Sequence, residues 1–291
     1  MTLSQIFSEP LSDPSVRHSM AAVLALALSA GPVGVFLMLR RMSLVGDAMS
    51  HAILPGVALG FLAVGLNVFA MTMGGLVAGL VIALLAGAVS RATALQEDAS
   101  LAVFLLVSLA FGVVIVTING IDVEQLMEFL FGETAAKMNV DKLLVIAVNA
   151  MISVVALALI YRPLALDCVD PGFLRSVSRA GGMAHLTFLA LLVLNLISAF
   201  HALGTLLGIS IIIIPATIAR FWTRDISAMI VLAMASALLS GWAGLLFAFH
   251  AGTPSGPAVT LVAGALYIVS VLFGRVGGLV WRALPSRHLE A

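Results

Sequence analysis

Cysteine and lysine are almost missing from this chain, and each shortage removes a class of chemistry. The single cysteine, Cys168, has no partner for an internal disulfide and cannot build a Cys-rich zinc site. The only lysines, Lys137 and Lys142, follow Ala136 and Asp141, so the Gly-Lys pair of a phosphate-binding loop is absent and ATP is not held that way. No His-Glu-x-x-His occurs, which argues against a zinc protease. Leu44-Val45-Gly46-Asp47 lacks the first glycine of the Gly-x-Gly-Asp pattern of intramembrane aspartyl proteases. Charged residues make up only 10% of the chain and the net charge is zero, so nothing points to nucleic acid. With no catalytic constellation and no signature of a bound cofactor, the chain reads as something other than an enzyme.

What remains is apolar. Hydrophobic residues form 62% of the sequence and the mean hydropathy is +1.19, far from an ordinary soluble domain. The expected fold class is all-α: a polytopic membrane protein forming a single transmembrane domain over residues 1–291. The 13 methionines are read as core or lipid-facing filler rather than soft-metal ligands. A helical span needs about 20 mostly apolar residues. That length predicts nine transmembrane helices, near 20–39, 44–66, 69–90, 100–118, 143–161, 184–201, 203–219, 226–249 and 257–274. The first is expected to persist rather than be cleaved as a signal, because Glu9 and Asp13 precede it and Arg40-Arg41 follow it. With the N-terminus outside, 11 of the 14 basic residues fall on one side, which is therefore cytoplasmic; only Arg17, Lys137 and Lys142 fall on the other. The C-terminus is then cytoplasmic as well.

Against this background Gly46-Asp47-Ala48-Met49-Ser50-His51-Ala52-Ile53-Leu54-Pro55-Gly56 stands out. Asp47 and His51 are four apart and share one helix face. Pro55 has no N–H to offer the His51 carbonyl, so a helix through this segment is loosened there. Asp47 alone would read as a helix cap, and His51 alone as a core histidine. Together, with apolar sequence on both sides, they read as a cation site, because ionisable groups at membrane depth are costly and mark ion paths. Pro215, inside the seventh span, is expected to break or bend it near the pathway. His201 and His250 fall near external helix ends, where interfacial hydrogen bonding is the ordinary explanation and a role in ion entry the alternative.

Two connections exceed a simple turn. Between about 162 and 183, Asp170-Pro171 makes a helix start, followed by Phe173, Leu174 and Val177 on one face and Arg175 and Arg179 on the other. Such a short amphipathic helix suits either a lipid surface or a docking partner. The external connection, 119–141, carries Asp122, Glu124, Glu128, Glu133 and Asp141. A solvated face is its ordinary explanation, and attraction of cations or a docking protein the alternative.

These residues resemble a known family, the permease subunits of bacterial ABC importers for zinc, manganese or iron. The resemblance rests on Gly31-Pro32-Val33-Gly34 with Arg40-Arg41-Met42-Ser43, on the Asp47–His51 segment, on Leu130-Phe131-Gly132, and on Leu203-Gly204-Thr205-Leu206-Leu207 running into Ile214-Pro215-Ala216-Thr217-Ile218-Ala219-Arg220. Pro254-Ser255-Gly256-Pro257-Ala258-Val259 fits the last helix. It implies a fold similar to the vitamin B12-type importer permeases, in the bacterial cytoplasmic (inner) membrane. It also implies a dimer, expected to be of two copies, with separate ATPase subunits below and an extracytoplasmic metal-binding protein above. By the same resemblance Asp47 and His51 match the metal-coordinating pair. Asp170, Pro171, Phe173, Leu174 and Arg175 match the helix that docks on the ATPase. The transported ion would be zinc by general similarity, with manganese or iron as alternatives. An ion-coupled secondary transporter and a metal-dependent intramembrane hydrolase are the competing classes; the cytoplasmic 170–179 segment argues against the first, and the missing catalytic motifs against the second.

Overall fold

The computed structural model describes residues 10, 12–65, 67–93, 97–118, 138–170, 180–203 and 208–280. The described elements are all helices: α1 Pro14–Leu39, α2 Ser43–Ala52, α3 Leu54–Val64, α4 Val68–Ala92, α5 Glu97–Ile118, α6 Val140–Val169, α7 Ala180–Leu203, α8 Ser210–Trp222, α9 Ile226–Ala251 and α10 Ser255–Phe273. Among the described residues seven helical segments are long and apolar enough to span a membrane, with α2 and α3 joined as one, Val45–Val64. Two shorter apolar stretches, Ala99–Ile115 and Ser210–Trp222, stand where the other two spans were expected.

Local chemistry sets the helix starts. Asp13 accepts from the Ser15 amide and hydroxyl at the head of α1, and these bonds hold its carboxyl below the usual carboxylate range. Asn67, Asn139 and Asp225 cap α4, α6 and α9 in the same way. One boundary departs from expectation. The span expected at 143–161 runs on through Pro163 to Val169, into the expected connection, with Leu164 fully buried in the core along its last turns. Proline inside a membrane helix is tolerated where neighbours re-satisfy the backbone.

The bundle has α1 and α7 at its centre, 72% and 67% buried over their spans. α1 packs against α6, α7, α8 and α9, and α9 also packs on α8 and α10. α2, α3, α4 and α5 form a second group, joined to the first mainly where α4 meets α7. Phe36, Phe188, Leu192, Leu196 and Ile197 fill the core between them. Close approach is bought with small residues, as membrane helices require. A Cβ on Gly56 of α3 would collide with the Gly74 carbonyl oxygen of α4, and one on Gly34 of α1 with the Ile212 carbonyl oxygen of α8. Buried polar side chains tie α6 to α7: Asn149 Nδ2 donates to Ser198 Oγ at 3.0 Å, and Asn195 Nδ2 to Ser153 Oγ at 3.0 Å.

Candidate metal site

The Asp47–His51 segment is α2, whose burial pattern is lopsided. Val45, Met49, Ser50, Ala52 and Ile53 are all buried, at 0–2% exposure. Gly46 is buried too, where an added Cβ would press on Leu37 Cδ2 of α1 at 3.2 Å and reach Ile213 Cδ1 of α8 at 3.8 Å. The opposite side carries Asp47, which is exposed, and His51, which is half-buried. Their spacing stacks them on one face, one turn apart.

The ordinary explanations for both residues fail. α2 begins at Ser43 without a side-chain cap, so Asp47, five residues into the helix, caps nothing. Nor does a described residue hold the His51 ring or the Asp47 carboxylate by a hydrogen bond or ion pair. A carboxylate turned outward from an apolar bundle must face water, a counter-charge or a cation.

Just beyond His51 the chain turns at Ile53 and restarts as α3, with Pro55 in the first turn. Pro55 supplies no N–H to the His51 carbonyl, so the loosening expected from sequence is present. The break is held in place by a residue that sequence reasoning missed. Ser108 of α5 donates its hydroxyl to the Ala52 carbonyl at 2.9 Å, in a buried setting. A serine within an apolar helix was the only available signal. Ser50 Oγ donates to the Asp47 carbonyl at 2.7 Å and stiffens the turn below.

The other expected pathway residues stand apart from this pair. His201 Nδ1 donates to the Ile197 carbonyl and His250 Nδ1 to the Leu246 carbonyl, each at 2.8 Å and within its own helix. Pro215 is buried in α8, which runs unbroken through it; the turn lies earlier, at Ile209. Ile213 brings α8 to Gly46, so Pro215 lies two residues beyond a contact with the site helix. Asp170 is exposed at the end of α6, while Pro171, Phe173, Leu174 and Arg175 lie outside the described residues, as does the stretch 119–137.

Two donors do not make a closed site. Among the described residues no group of three or more His, Cys, Asp and Glu converges anywhere in the chain. Zinc sites take four ligands and manganese sites about six. Asp47 and His51 thus offer two candidate donors on an outer face, fewer than a closed site needs.

The chain matches the model of the ABC 3 transport family over residues 12–274. It is 28% identical to the manganese transport system membrane protein MntC of Halalkalibacterium halodurans, over 99% of this chain and 98% of that one. It is 30% identical to the zinc transport system membrane protein TroC of Treponema pallidum, over 96% of this chain and 95% of that one. A solved structure of PsaBC from Streptococcus pneumoniae in complex with Fab superposes with a TM-score of 0.84 at 22% identity, covering 97% of this chain and 99% of that one.

Proposed function

The chain belongs to the ABC 3 transport family, as a multi-pass membrane permease subunit and not an enzyme, and from that premise we propose that it carries a divalent metal ion across the membrane at Asp47 and His51. One observation carries this reading: the two donors face outward, unpartnered by described residues, and no third ligand converges with them. A second copy apposed across this face supplies the missing half. Two carboxylates and two imidazoles then meet at the dimer axis. Four such donors suit zinc in tetrahedral geometry, and the same set suits manganese or iron when water or backbone carbonyls complete six. Similar relatives are mostly named for manganese, with zinc and iron also represented, so zinc is not favoured by kinship.

Transport follows from the incompleteness of each half. An ion delivered from outside by a binding protein exchanges part of its hydration shell for Asp47 and His51. ATP binding and hydrolysis on separate subunits, docked at the 170–179 segment, shift the two copies. The shift separates the donor pairs and releases the ion inward. Conduction requires a site strong enough to admit the ion and weak enough to let it go.

The deciding experiment is uptake of labelled zinc and manganese into vesicles holding the reconstituted complex, comparing wild type with Asp47→Asn and His51→Ala. Loss of uptake of one metal in both variants, with assembly intact, supports the reading and names the ion. Normal uptake in both variants would refute it.

A further inference from the structure

α1 ends in a turn that no glycine supports. Arg41 adopts a left-handed conformation, φ +57°, where glycine is usual. The Met42 amide donates to the Leu37 carbonyl and the Arg41 amide to the Met38 carbonyl, each at 3.0 Å, and one residue later α2 begins. Arg40 and Asp47 are therefore joined by a hydrogen-bonded turn and one turn of helix, a short rigid arm.

Arg40 itself is largely buried, at 11% side-chain exposure, and spans three helices. Its Nη2 lies 2.8 Å from Asp167 Oδ2, at the end of α6, and 2.8 Å from His185 Nδ1, in the second turn of α7. Because a guanidinium only donates, His185 Nδ1 is the acceptor and carries no proton. The guanidinium also lies over the Phe188 ring, 5.3 Å from its centroid. α6 and α7 flank the 170–179 connection on either side. One side chain thus ties both of those helix ends to the arm that bears Asp47 and His51.

A role in stability alone accounts poorly for this arrangement. Buried ion pairs are often matched or bettered by apolar residues of the same volume. Here the Nη1 atom of Arg40 is buried with no hydrogen-bond partner among the described residues, a fault that an apolar replacement would remove. What an apolar contact cannot supply is a directional link that resists both sliding and separation.

We propose that Arg40, anchored by Asp167 and His185, is a positioning residue that transmits displacement of the α6 and α7 ends to α2, and so to the metal donors. This rests on the permease reading above. The pair resists rupture because parting it leaves the largely enclosed Arg40 guanidinium without its carboxylate, although Asp167 keeps some access to water. The helix ends and the arm therefore move as one body.

The test uses the full complex in vesicles: this chain, its ATPase and its binding protein. The informative variant is the double substitution Arg40→Gln/Asp167→Asn, which removes the link without stranding a charge. Metal uptake, ATP hydrolysed per ion, metal affinity of the permease and recovery of complex are read together. The neutral pair is expected to assemble and bind metal as wild type does. Its uptake falls by about tenfold, within the usual range of coupling between sites, and ATP consumed per ion rises by a similar factor. Wild-type uptake and stoichiometry in the neutral pair overturn the proposal. Uptake that falls only in proportion to recovered complex, at unchanged ATP per ion, overturns it as well. Asp47→Asn, run in parallel, keeps the two readings apart. Normal transport in that variant sinks the permease site, whereas failure there with a fully coupled neutral pair sinks the Arg40 link alone.

Discussion

Substituting Gly56 by alanine tests the packing that holds the site helix in place. Gly56 and Gly74 meet where α3 crosses α4, immediately after Pro55. An added Cβ at Gly56 lands on the Gly74 carbonyl oxygen, 2.7 Å from its carbonyl carbon and 2.5 Å from the Ala78 Cβ. Two of those obstacles are backbone, so α3 and α4 must separate. Alanine gains about 1 kcal/mol over glycine in a helix interior. Overpacking a tight contact costs about 1–3 kcal/mol, and a backbone obstacle places the cost toward the upper end. The net expectation is a loss of about 1–2 kcal/mol. Gly264 of α10 provides the internal control, since nothing lies within 4 Å of a Cβ added there. Gly264→Ala should keep the propensity gain, leaving the two variants about 2–3 kcal/mol apart. Reversible unfolding in mixed micelles measures both stabilities. Separation of α3 from α4 also displaces Pro55 and the turn at Ile53, so metal affinity at His51 should fall in Gly56→Ala and not in Gly264→Ala. Equal stability of the two variants would refute the crossing geometry.

Two further outcomes follow from single contacts near the site. Ser108→Ala strips the buried Ala52 carbonyl of its side-chain donor and should cost about 1 kcal/mol, while Ser108→Thr, which keeps the hydroxyl, costs less; mixed-micelle unfolding checks both, and no difference between them would mean that water replaces the bond. Arg41→Gly relieves a left-handed residue of its Cβ and should stabilise the α1–α2 junction by about 1 kcal/mol in the same assay; destabilisation would show that the Arg41 side chain contributes more than its backbone strain costs.

Much of the fold was legible because membrane helices announce themselves by length. Apolar runs near 69–90, 226–249 and 257–274 became α4, α9 and α10 with ends shifted by only one or two residues. The break after His51 was legible from Pro55, since a missing N–H acts locally. Contacts made at long range were not. The span expected at 143–161 runs on through Pro163 to Val169, where Leu164 is fully buried and Asp167 is paired to an arginine more than a hundred residues away. Ser108 carries no pattern that sets it apart from the other serines of the apolar helices. Pro215 looked like Pro55 in sequence, yet α8 runs through it, so proline by itself does not foretell where a membrane helix parts. The shared face of Asp47 and His51 was legible from their spacing of four, and the structure leaves Asp47 exposed and His51 half-buried on α2.

The lopsided burial of α2 bears directly on how a metal could be both held and released. If four donors lay within one chain, freeing the ion would require breaking ligands inside a packed core, against interiors that resist deformation. Here Val45, Met49 and Ile53 lock α2 into its own bundle, while Asp47 turns outward. With the donors divided between two copies, as proposed, affinity depends on the separation of two rigid faces, and a small relative shift takes the ion from four protein ligands to two. Rigidity within each chain then becomes a requirement of transport, since a soft α2 would follow the ion and leave the affinity unchanged. In that proposal the Gly56–Gly74 crossing and the Ser108 hydroxyl would supply the rigidity on one side of α2, and the Arg40–Asp167 link the direction of the shift on the other.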